Sequence, residues 1–589
     1  MQLVQLDWLI IALYFLIALV IGLYFSKRAG SDIDSFFVSN RSMPWWLLGT
    51  SMVATTFSAD TPNLVTDIVR SQGVKGNWVW WAFLLTGMCT VFIYAKLWRR
   101  SGALTDMAFY ELRYSGRPAA FLRGFRAIYL GVFFNIVIMA TVNLAAIKIG
   151  GLLLGLDKYS TVIVCAAVAT AYSALSGLWG VVVTDLLLFG IAMGGSITAA
   201  YYALNHPQVG GISGLISHES LQGSLDFLPD FTDWDVALTV LVIPLAVQWW
   251  STWYPGAEPG GGGYVAQRML AAKNEKHALV ATLWFNVAHY GLRPWPWIIV
   301  ALCSLIVYPD LDSIREAFPG VDPSIVKNDL AYPAMLVFLP QGLLGLVVAS
   351  LAAAYMSTIS THLNWGASYV VDDVYRRFIR VEASDRHYVV VARLITMGLI
   401  ILASALSLGL SNSLQGFQIL LQVGAGTGLI FLLRWFWWRI NAWSEISAMV
   451  SSLGVAIYFQ FFHSVLGFNH VSNSFQLVSG VLITSSVWLL ITYLTPPTDQ
   501  ATLQKYYDKI HPGGRSWGKV VEIDVSAEQE SFLPGIICWF LGVAGTYSVL
   551  FGVGYLLYGD VIPGIFLLLV SLSSAILIMR LFPRLKIWE

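Results

Sequence analysis

Long apolar runs separated by short polar connections constrain this chain more than any other feature of its sequence. A helix needs about 20 apolar residues to cross the hydrocarbon core of a bilayer. We predict fifteen such spans, at 6–26, 44–70, 77–98, 122–150, 158–176, 178–204, 234–255, 276–307, 334–374, 386–410, 414–436, 442–464, 474–495, 533–557 and 560–581. Because only 12% of the residues are charged and 57% are apolar, the chain is predicted to be an all-α polytopic membrane protein.

The distribution of Lys and Arg predicts how the spans are oriented. Basic residues gather in alternate connections, near 27–41, 99–117, 268–276, 376–380, 505–519 and 580–586, and the connections between these are neutral or acidic. Basic connections face the cytoplasm, so fifteen spans place the N-terminus outside and the C-terminus inside. The first run lacks a basic leader and a small-residue cleavage site, and we therefore expect it to be a retained span rather than a signal peptide.

Two of the apolar segments, 50–63 and 351–364, carry small polar residues at their middle. Unpaired polar groups are costly in hydrocarbon, so a break in a spanning helix is tolerated only beside a cavity or an ion. Pro62 lacks an amide proton and crowds the carbonyl of Ser58, which gives the first break a mechanical cause. One early and one late interrupted segment predict a secondary transporter with discontinuous helices around a binding site near the midplane.

Hydroxyl groups recur at helical spacing in the second of these segments. Ala354, Ser357 and Thr358 share one helix face, and Ser357, Ser360 and Thr361 share the neighbouring face. A cation without its water needs several oxygens at short range, and these hydroxyls could supply them opposite the carbonyls of a broken helix. Small residues also let helices pack closely, so both ion ligation and packing remain open from the spacing alone.

Asp185 lies deep inside the apolar span 178–204. An ionised carboxylate at that depth costs about 2.5–3.5 kcal/mol even on a lenient insertion scale, so it needs a partner. The span contains no Lys or Arg, and a bound cation is an economical partner. A protonated or hydrogen-bonded structural Asp is the alternative.

Further polar residues within the spans are candidates for a polar cavity, although each alone is more typical of a helix–helix hydrogen bond. They are Asn135, Asn143, Gln248, Asn286, His289 and Gln422. Tryptophan pairs such as Trp80–Trp81 are typical of interfacial belts. We interpret the glycine run within 256–263 as a flexible connection that follows a span, because neither a preceding strand nor a following Gly-Lys-Ser/Thr marks a phosphate loop.

Three motifs, in the right order, resemble the solute:sodium symporter family, which includes sodium/glucose, sodium/proline and sodium/sialic acid cotransporters. They are Gly49-Thr50-Ser51-Met52-Val53-Ala54-Thr55-Thr56-Phe57-Ser58-Ala59, Ser176-Gly177-Leu178-Trp179-Gly180-Val181-Val182-Val183-Thr184-Asp185, and the run 351–364 followed by Asp373-Val374-Tyr375. The resemblance covers about residues 6 to 495. It implies a LeuT-type fold of two inverted five-helix repeats. The implied divisions are an extra helix and loop at 1–43, the first repeat at 44–204, an extracytoplasmic loop at 205–233, the second repeat at 234–436, two further helices at 437–495, a cytoplasmic loop at 496–532 and a two-helix appendage at 533–589.

The resemblance also implies two sodium sites. The family's common site would use the carbonyls of Ala54, Phe57 and Ala354 with the hydroxyls of Ser357 and Thr358. Some members bind a second sodium through an Asp and neighbouring hydroxyls, and the matching positions here are Asp185, Ser357, Ser360 and Thr361.

The implied substrate side departs from that of the sugar-transporting members. Asp60-Thr61 stands where those members have a Glu followed by Gln, and Phe83 lies near the place of an expected acidic residue. Thr56, Ser58 and Thr61 resemble the hydroxyl pattern that contacts substrate in sialic-acid-type members. The span 122–150 has Asn135 and no central Arg, which argues against capture of a carboxylate there. The predicted substrate set is Thr56, Ser58, Asp60, Thr61, Asn135, Gln248, Asn286 and Gln422.

The sequence as a whole predicts a sodium-coupled importer of a small polar solute, a sugar or sugar derivative ahead of an amino acid or organic acid, working by alternating access in the cell membrane. A proton-coupled transporter of the same fold is the nearest alternative, and a transporter-like sensor is a remote one. We expect no enzyme activity, because His289 and His362 are isolated and no paired carboxylates mark a catalytic cluster. The expected partners are sodium, the solute and the lipid bilayer, with no nucleic acid and no obligate protein partner.

Overall fold

The computed structural model of the protein describes residues 3–26, 41–56, 58–103, 105–173, 178–252, 258–469, 471–514, 516–522 and 532–587. Every regular element within these ranges is a helix, and one isolated β-bridge joins Met43 to Ala272. Ten helices of this part of the chain are long and apolar enough to cross a membrane. The predicted all-α membrane architecture is therefore confirmed, whereas the count of fifteen spans stays a prediction.

The helices of the first half surround an early interruption. They are α1 (Gln5–Ser26), α2 (Trp45–Thr56), α3 (Thr61–Gln72), α4 (Val74–Ser101), α5 (Gly116–Leu154), α6 (Lys158–Ser173) and α7 (Leu178–Leu204). The predicted hinge at Ser176-Gly177 lies outside the described residues.

The second half continues the same architecture and ends in a helical hairpin. Its helices are α8 (Trp234–Trp250), α9 (Gly263–Ala271), α10 (Glu275–Val307), α11 (Leu343–Ile379), α12 (Asp385–Ser407), α13 (Ser413–Gly424), α14 (Gly428–Leu433), α15 (Ala442–Phe462), α16 (Asn473–Leu494), α17 (Gln500–Ile510), α18 (Leu533–Leu557) and α19 (Val561–Leu581). Helices α4, α5, α10 and α11 are mostly buried, whereas α12 and α19 are mostly exposed and so lie at the periphery.

The first predicted interruption is present. Helix α2 ends at Thr56, and α3 begins at Thr61 with Pro62 in its first turn, where a residue without an amide proton is tolerated. The Asp60 carbonyl already accepts a hydrogen bond from the Leu64 amide at 2.8 Å, and Ser58 accepts one from the Thr61 amide at 3.2 Å. The polar residues of the break are thus held in a compact turn between two helices.

The second predicted interruption is wrong. Helix α11 is continuous through 351–364 and passes into a π-helical stretch only after Ser368. Small polar side chains such as Ser357 and Ser360 do not break it, because they bond to a neighbouring helix or within the helix; Ser360 donates to the Ser357 carbonyl at 3.1 Å. The segment also lacks Pro, and it contains no Gly to weaken the helix.

The late interruption lies instead between α8 and α9. The backbone leaves helical geometry after Trp250, and the described residues 258–262 that precede α9 are buried rather than forming a surface connection. Gly260 and Gly261 have φ of +80° and +91°, a region that favours glycine. The described residues 258–262 are thus a buried, non-helical stretch before α9, and the flexibility of the glycine run stays a prediction.

The boundaries of two other predicted spans also change. Helix α11 begins at Leu343 rather than 334, because residues 331–336 form a separate short helix. The predicted span 414–436 is divided into α13 and α14 around Gly426, whose φ is +78°.

The terminal hairpin of α18 and α19 is anchored to the helices that build the interior. Trp295 on α10 donates to the Leu550 carbonyl at 2.7 Å, and Tyr547 donates to the Trp81 carbonyl on α4 at 2.9 Å. Trp539 makes a third such bond to the Leu85 carbonyl at 2.8 Å. Helix α18 is therefore hydrogen-bonded to both α4 and α10 and links these two helices.

Candidate functional site

A cavity lies at the break between α2 and α3. About 70 Å³ of it is open to the centre of a water molecule, which is room for several waters. Its walls come from six helices and the break itself, and they are Thr56, Ser58, Asp60, Thr61, Leu64, Val65, Trp80, Ile138, Thr141, Val142, His289, Arg293, Ser413, Phe417 and Leu420. Thr56, Ser58, Asp60 and Thr61, the four residues around the break that the sequence predicts to contact substrate, are all among them.

Polar and aromatic groups are mixed in this cavity. Asp60 supplies a carboxylate, which accepts a hydrogen bond from the Thr141 hydroxyl of α5 at 3.1 Å. Trp80 and Phe417 supply aromatic surfaces from α4 and α13. A few convergent polar groups in an otherwise apolar pocket are the usual composition of a small-molecule site.

Arg293 brings a cationic side chain to the cavity from α10. It lies next to Pro294, where the π-helical turn 287–292 passes into the regular helix 294–307. Its guanidinium donates to the Val53 carbonyl of α2 at 3.2 Å and stacks over the Trp297 ring at 5.0 Å. Val53 belongs to the last turn of α2, where outward carbonyls favour a nearby cation.

A second polar cluster surrounds Asp185 on the other side of α2. The Asp185 carboxylate accepts hydrogen bonds from the hydroxyls of Ser51 at 2.7 Å and Ser357 at 2.8 Å. The Thr55 hydroxyl lies 3.5 Å from the same carboxylate and itself accepts a hydrogen bond from Arg268 at 3.4 Å. Asp185 therefore joins α2, α7 and α11, and Arg268 of α9 interacts with it electrostatically.

One hydroxyl predicted for the first sodium site, that of Thr358, lies against the end of α2. The Thr358 hydroxyl lies 3.5 Å from the Thr55 carbonyl, and Ala54, Ala354 and Thr358 are fully buried. Phe57 lies outside the described residues. Carbonyl and hydroxyl oxygens of this kind suit a small hard cation, and the donor set is compatible with sodium.

The residues predicted for the second sodium site adjoin the first set through Ser357. Ser360 is fully buried and its hydroxyl bonds within α11, while Asp185 faces Ser357 directly. The Thr361 hydroxyl is buried and makes no hydrogen bond to another described residue. An orphaned hydroxyl one helical turn from Ser357 is compatible with a further ligand at this place.

The family model described as the sodium:solute symporter family matches residues 36–453, which is more than half of the chain. The chain belongs to this family. As a member it is a sodium-coupled membrane symporter, and sodium is its co-transported ion.

Several known proteins are similar to this symporter over most of its length. The sodium/glucose cotransporter of Vibrio parahaemolyticus is 25% identical over 476 residues, covering 77% of this chain and 85% of that protein. The sodium/glucose cotransporter 1 of Oryctolagus cuniculus is 25% identical over 475 residues, covering 74% and 69% respectively. The human sodium/myo-inositol cotransporter 2 is 26% identical over 488 residues, covering 76% and 68%.

A solved structure of a Na⁺-coupled sialic acid symporter, in a substrate-bound outward-open state, has the same fold. Its TM-score with this symporter is 0.65 at 20% sequence identity, and the match covers 84% of this chain and 99% of that chain. The likeness shows the LeuT-type fold that the sequence resemblance implied.

Four residues of the predicted substrate set do not line the cavity of the symporter. Three of them form hydrogen bonds with residues of other helices. Asn135 bonds to the carbonyl and ring of His362, at 2.7 and 2.5 Å, and so joins α5 to α11. Gln248 bonds to the Val79 carbonyl. Gln422 accepts from Gln460 and donates to Gln476, each at 2.7 Å.

The fourth, Asn286, is buried against α4. Its amide donates to the Thr282 carbonyl at 2.8 Å, and its oxygen lies where a Cβ on Gly87 would fall. The bonds of Asn135, Gln248 and Gln422 are thus the helix–helix bonds that were the alternative for such residues, whereas the bond of Asn286 lies within α10.

The cavity of the symporter also contains residues that sequence reasoning did not assign to it. Trp80 is buried at the cavity, and Trp81 is fully buried, so their interpretation as an interfacial belt is wrong. Thr141, Arg293 and Phe417 were not recognised at all. Arg293 carried a signal, because a basic residue followed by Pro inside the long apolar run 276–307 is unusual.

A network of buried polar bonds connects the segments around the late interruption of the symporter. Arg126 on α5 and Glu258 form a salt bridge of 2.5 Å, and each side chain is only 1% exposed. Asp106 accepts a hydrogen bond from the Gly263 amide at 2.9 Å and another from the Tyr369 hydroxyl. The start of α9 is thereby tied to α5 and to the end of α11.

Proposed function

We propose that this symporter imports a small polyhydroxylated solute of the sugar class, and that the solute binds in the cavity at the break between α2 and α3. The single observation that supports the proposal most is that the cavity and the first proposed sodium site lie next to each other at the end of α2. Hydroxyls, the Asp60 carboxylate and two aromatic faces line the cavity. The Thr55 carbonyl, which the Thr358 hydroxyl approaches, belongs to the residue immediately before Thr56 in the cavity wall. The sodium/glucose cotransporter of Vibrio parahaemolyticus and the human sodium/myo-inositol cotransporter 2 are named for polyhydroxylated solutes, which supports the solute class.

The proposed contacts follow from the chemistry of a sugar. Thr56, Ser58 and Thr61 would meet hydroxyl groups at the break, where the backbone is also free to bond a ligand. The Asp60 carboxylate would accept hydrogen bonds from solute hydroxyls, and the Thr141 hydroxyl would form a further one. Trp80 and Phe417 would cover the apolar faces of the sugar ring. Because Asn135, Gln248, Asn286 and Gln422 lie elsewhere, we propose the break residues as the core of the substrate site.

We propose that sodium binds at two neighbouring places. The first uses the carbonyls of Ala54, Phe57 and Ala354 with the hydroxyls of Ser357 and Thr358. The second uses Asp185, Ser360 and Thr361 and shares Ser357, whose 2.8 Å bond to Asp185 is the observation that supports coupling between the two. Sodium at these places would fix the end of α2 against α11, and this would set the geometry of Thr56 for the solute.

The thermodynamic reason for coupling is the free energy that sodium entry supplies. Each positive charge that enters gains about 2.3 kcal/mol per 100 mV, and a tenfold sodium gradient adds about 1.4 kcal/mol. One ion therefore supports roughly 500-fold accumulation of a neutral solute, and two ions support roughly 10⁵-fold.

We propose alternating access between two inverted repeats, 44–204 and 234–436, each of which begins with an interrupted helix. We propose one extra helix before these repeats and further helices after them. In the proposed fifteen-span orientation, with the N-terminus outside and the C-terminus inside, the buried pair Arg126–Glu258 lies on the cytoplasmic side and the cavity opens to the exterior. We expect the cell membrane as the location, transport rather than catalysis as the activity, and no nucleic acid or obligate protein partner.

Uptake into liposomes tests the proposal. The purified symporter is reconstituted, and a panel of labelled sugars, polyols, amino acids and organic acids is offered with sodium or with choline outside. We expect uptake of a polyhydroxylated solute only with sodium. Sodium-dependent uptake of an amino acid alone, with no sugar or sugar derivative transported, would contradict the proposed solute class.

A further inference from the structure

Basic side chains from three distant parts of the chain meet at Gly102, the residue that follows α4. The Arg41 guanidinium donates to the Gly102 carbonyl at 2.8 Å. One nitrogen of that guanidinium and the Lys509 ammonium lie 3.7 and 3.8 Å from the point where a Cβ on Gly102 would be. Arg99, in the last turn of α4, is close enough to Arg41 for the two like charges to interact. We call Arg41, Arg99 and Lys509 the basic surface.

The described carboxylates leave this basic surface with excess positive charge. Glu275 approaches it, but its carboxylate forms a salt bridge of 2.9 Å with Arg100, whose side chain is buried. Arg99 donates to the carbonyls of Ala272 and Lys273, at 3.0 and 3.3 Å, rather than to a carboxylate. Among the described residues, no Asp or Glu forms a salt bridge with a base of this surface. Three cations held close together attract an anion from their surroundings.

The backbone holds basic residues of this region in an unusual conformation. Arg41, His511 and Lys586 have φ of +53°, +47° and +47°, and in the part of the chain that the structure describes no other non-glycine residue has a positive φ. His511 and Lys586 each end a helical turn, at a position that glycine usually takes. Arg100 connects these two turns, because it donates to the Ile510 carbonyl at 3.5 Å and to the Lys586 carbonyl at 3.1 Å. Such conformations persist where the surroundings enforce them, and they are frequent at ligand sites.

An apolar cleft adjoins the basic surface on the side of α18. Its walls come mainly from α4, the start of α18 and the turn 582–585 after α19, and they are Phe92, Ile93, Lys96, Leu97, Pro512, Phe532, Gly535 and Leu585. Lys96, the charged residue of this wall, donates to the Leu585 carbonyl at 3.1 Å and lies one helical turn before Arg99. Leu533 at the start of α18 is 62% exposed, and α19 is mostly exposed. The cleft therefore lies between the basic surface and helices that contact lipid in a membrane.

We propose that the basic surface binds the phosphate of an anionic phospholipid, whose acyl chains extend along the apolar cleft. The N–H donors of two guanidinium groups and one ammonium suit phosphate oxygens, and charge-assisted hydrogen bonds of this kind are strong. In the proposed orientation the end of α4 lies at the cytoplasmic face, where basic pockets between helices bind anionic headgroups. A zwitterionic lipid fits less well, because its amine would lie among like charges.

A bound lipid would connect segments that are distant in sequence. Arg41 precedes α2, Arg99 ends α4 and Lys509 belongs to α17, so one phosphate would contact all three segments. Binding of this kind stabilises the folded symporter by mass action, since the separated segments of an unfolded chain do not form the site.

Lipid binding to the purified symporter in detergent tests the proposal without a transport assay, so its failure would leave the proposed function standing. The delipidated protein is titrated with dioctanoyl phosphatidylglycerol, and dioctanoyl phosphatidylcholine is the zwitterionic comparison. Native mass spectrometry counts the bound lipids, and thermal unfolding reports the stabilisation. We expect phosphatidylglycerol to bind about tenfold or more tightly than phosphatidylcholine, because the choline brings a further positive charge to the basic surface. Equal binding of the two lipids would overturn the proposal.

Soluble anions distinguish a lipid from a free phosphate. Glycerol 3-phosphate and inorganic phosphate have the phosphate without the acyl chains. We expect each to need a concentration about a hundredfold higher than phosphatidylglycerol for equal stabilisation, because the apolar contact with the cleft is lost. Equal stabilisation by inorganic phosphate and by phosphatidylglycerol at one concentration would overturn the lipid as the occupant.

Variants at the basic surface locate the effect. Lys509 is exposed, so Lys509→Gln removes a charge without removing a buried contact. We expect Lys509→Gln to reduce the preference for phosphatidylglycerol about threefold or more, Lys509→Arg to keep it, and Lys509→Gln combined with Arg41→Gln to abolish it. Lys519→Gln, the same change at another exposed position of the 496–532 connection, is the control.

The variants also state what would contradict the site. An unchanged preference in the double variant would place the lipid away from the basic surface. If the double variant folds poorly, Lys509→Gln alone decides, because an equal preference in Lys509→Gln and in the control Lys519→Gln would overturn the assignment.

Discussion

At the scale of single residues, Ser357 is the point at which the two proposed sodium sites meet. Its hydroxyl donates to Asp185, and it lies one residue from Thr358, which faces the end of α2. We expect Ser357→Ala to raise the sodium concentration for half-maximal uptake about tenfold or more, because a ligand of both sites is lost. Sodium titration of solute uptake measures this. Ser479→Ala, on the periphery of α16, is the control, and equal half-saturation in the two variants would contradict the assignment.

Asp185 supports a second prediction at the same scale. Asp185→Asn keeps the shape of the side chain but removes the charge that would offset a dehydrated ion. We expect the Hill coefficient for sodium to fall from about two to about one, with uptake weakened rather than abolished. A coefficient of one in the unmodified symporter that stays at one in the variant would assign Asp185 to structural hydrogen bonding with Ser51 and Ser357 alone.

At the scale of elements, α18 depends on close contact with α10. Gly554 faces Trp295, and a Cβ built there would lie 2.0 Å from the indole ring. Since Trp295 is also hydrogen-bonded to Leu550, it has little freedom to move. We expect Gly554→Ala to cost about 1–3 kcal/mol through overpacking, which a lower unfolding temperature in detergent would report. Gly194→Ala, at a position with open space around the added carbon, is the control. Equal unfolding temperatures would contradict the packing described here.

The elements also show what the sequence could and could not predict. The break between α2 and α3 was predictable because Pro62 and the polar residues around it act locally. The predicted break in α11 failed because hydroxyls such as that of Ser360 bond within the helix, so polarity alone does not interrupt it. The late break depends on buried glycines with positive φ and on the pair Arg126–Glu258, and these contacts exist only after distant segments meet.

The residues of the candidate site likewise include some that the sequence could predict and some that it could not. Thr56, Ser58, Asp60 and Thr61 adjoin each other in sequence, and the structure keeps them together in the cavity wall. Arg293 and Phe417 come from helices far along the chain, and no local pattern relates them to the break. The partner of Asp185 was sought within its own span, whereas Arg268 approaches from α9.

At the scale of the whole molecule, we expect the buried pair Arg126–Glu258 to keep closed the side of the symporter that we place in the cytoplasm. Removing one partner of a buried ion pair costs about 3–5 kcal/mol in the state that contains it. We expect Glu258→Gln to shift the population towards the state open to the cytoplasm, which cysteine labelling from that side would detect. Asp312→Asn, in an exposed pair with Arg315, is the control. Unchanged labelling with Glu258→Gln would show that the pair does not keep this side closed.

The most direct measurement of sodium coupling follows solute and labelled sodium together in liposomes that contain the purified symporter, with the membrane potential clamped by potassium and valinomycin. We expect solute to accumulate above its external concentration only when the sodium gradient points inward, and sodium to enter in fixed proportion to solute. We also expect Ser357→Ala to weaken both fluxes together. Accumulation driven by a proton gradient without sodium, or solute flux that proceeds without sodium flux, would contradict sodium coupling.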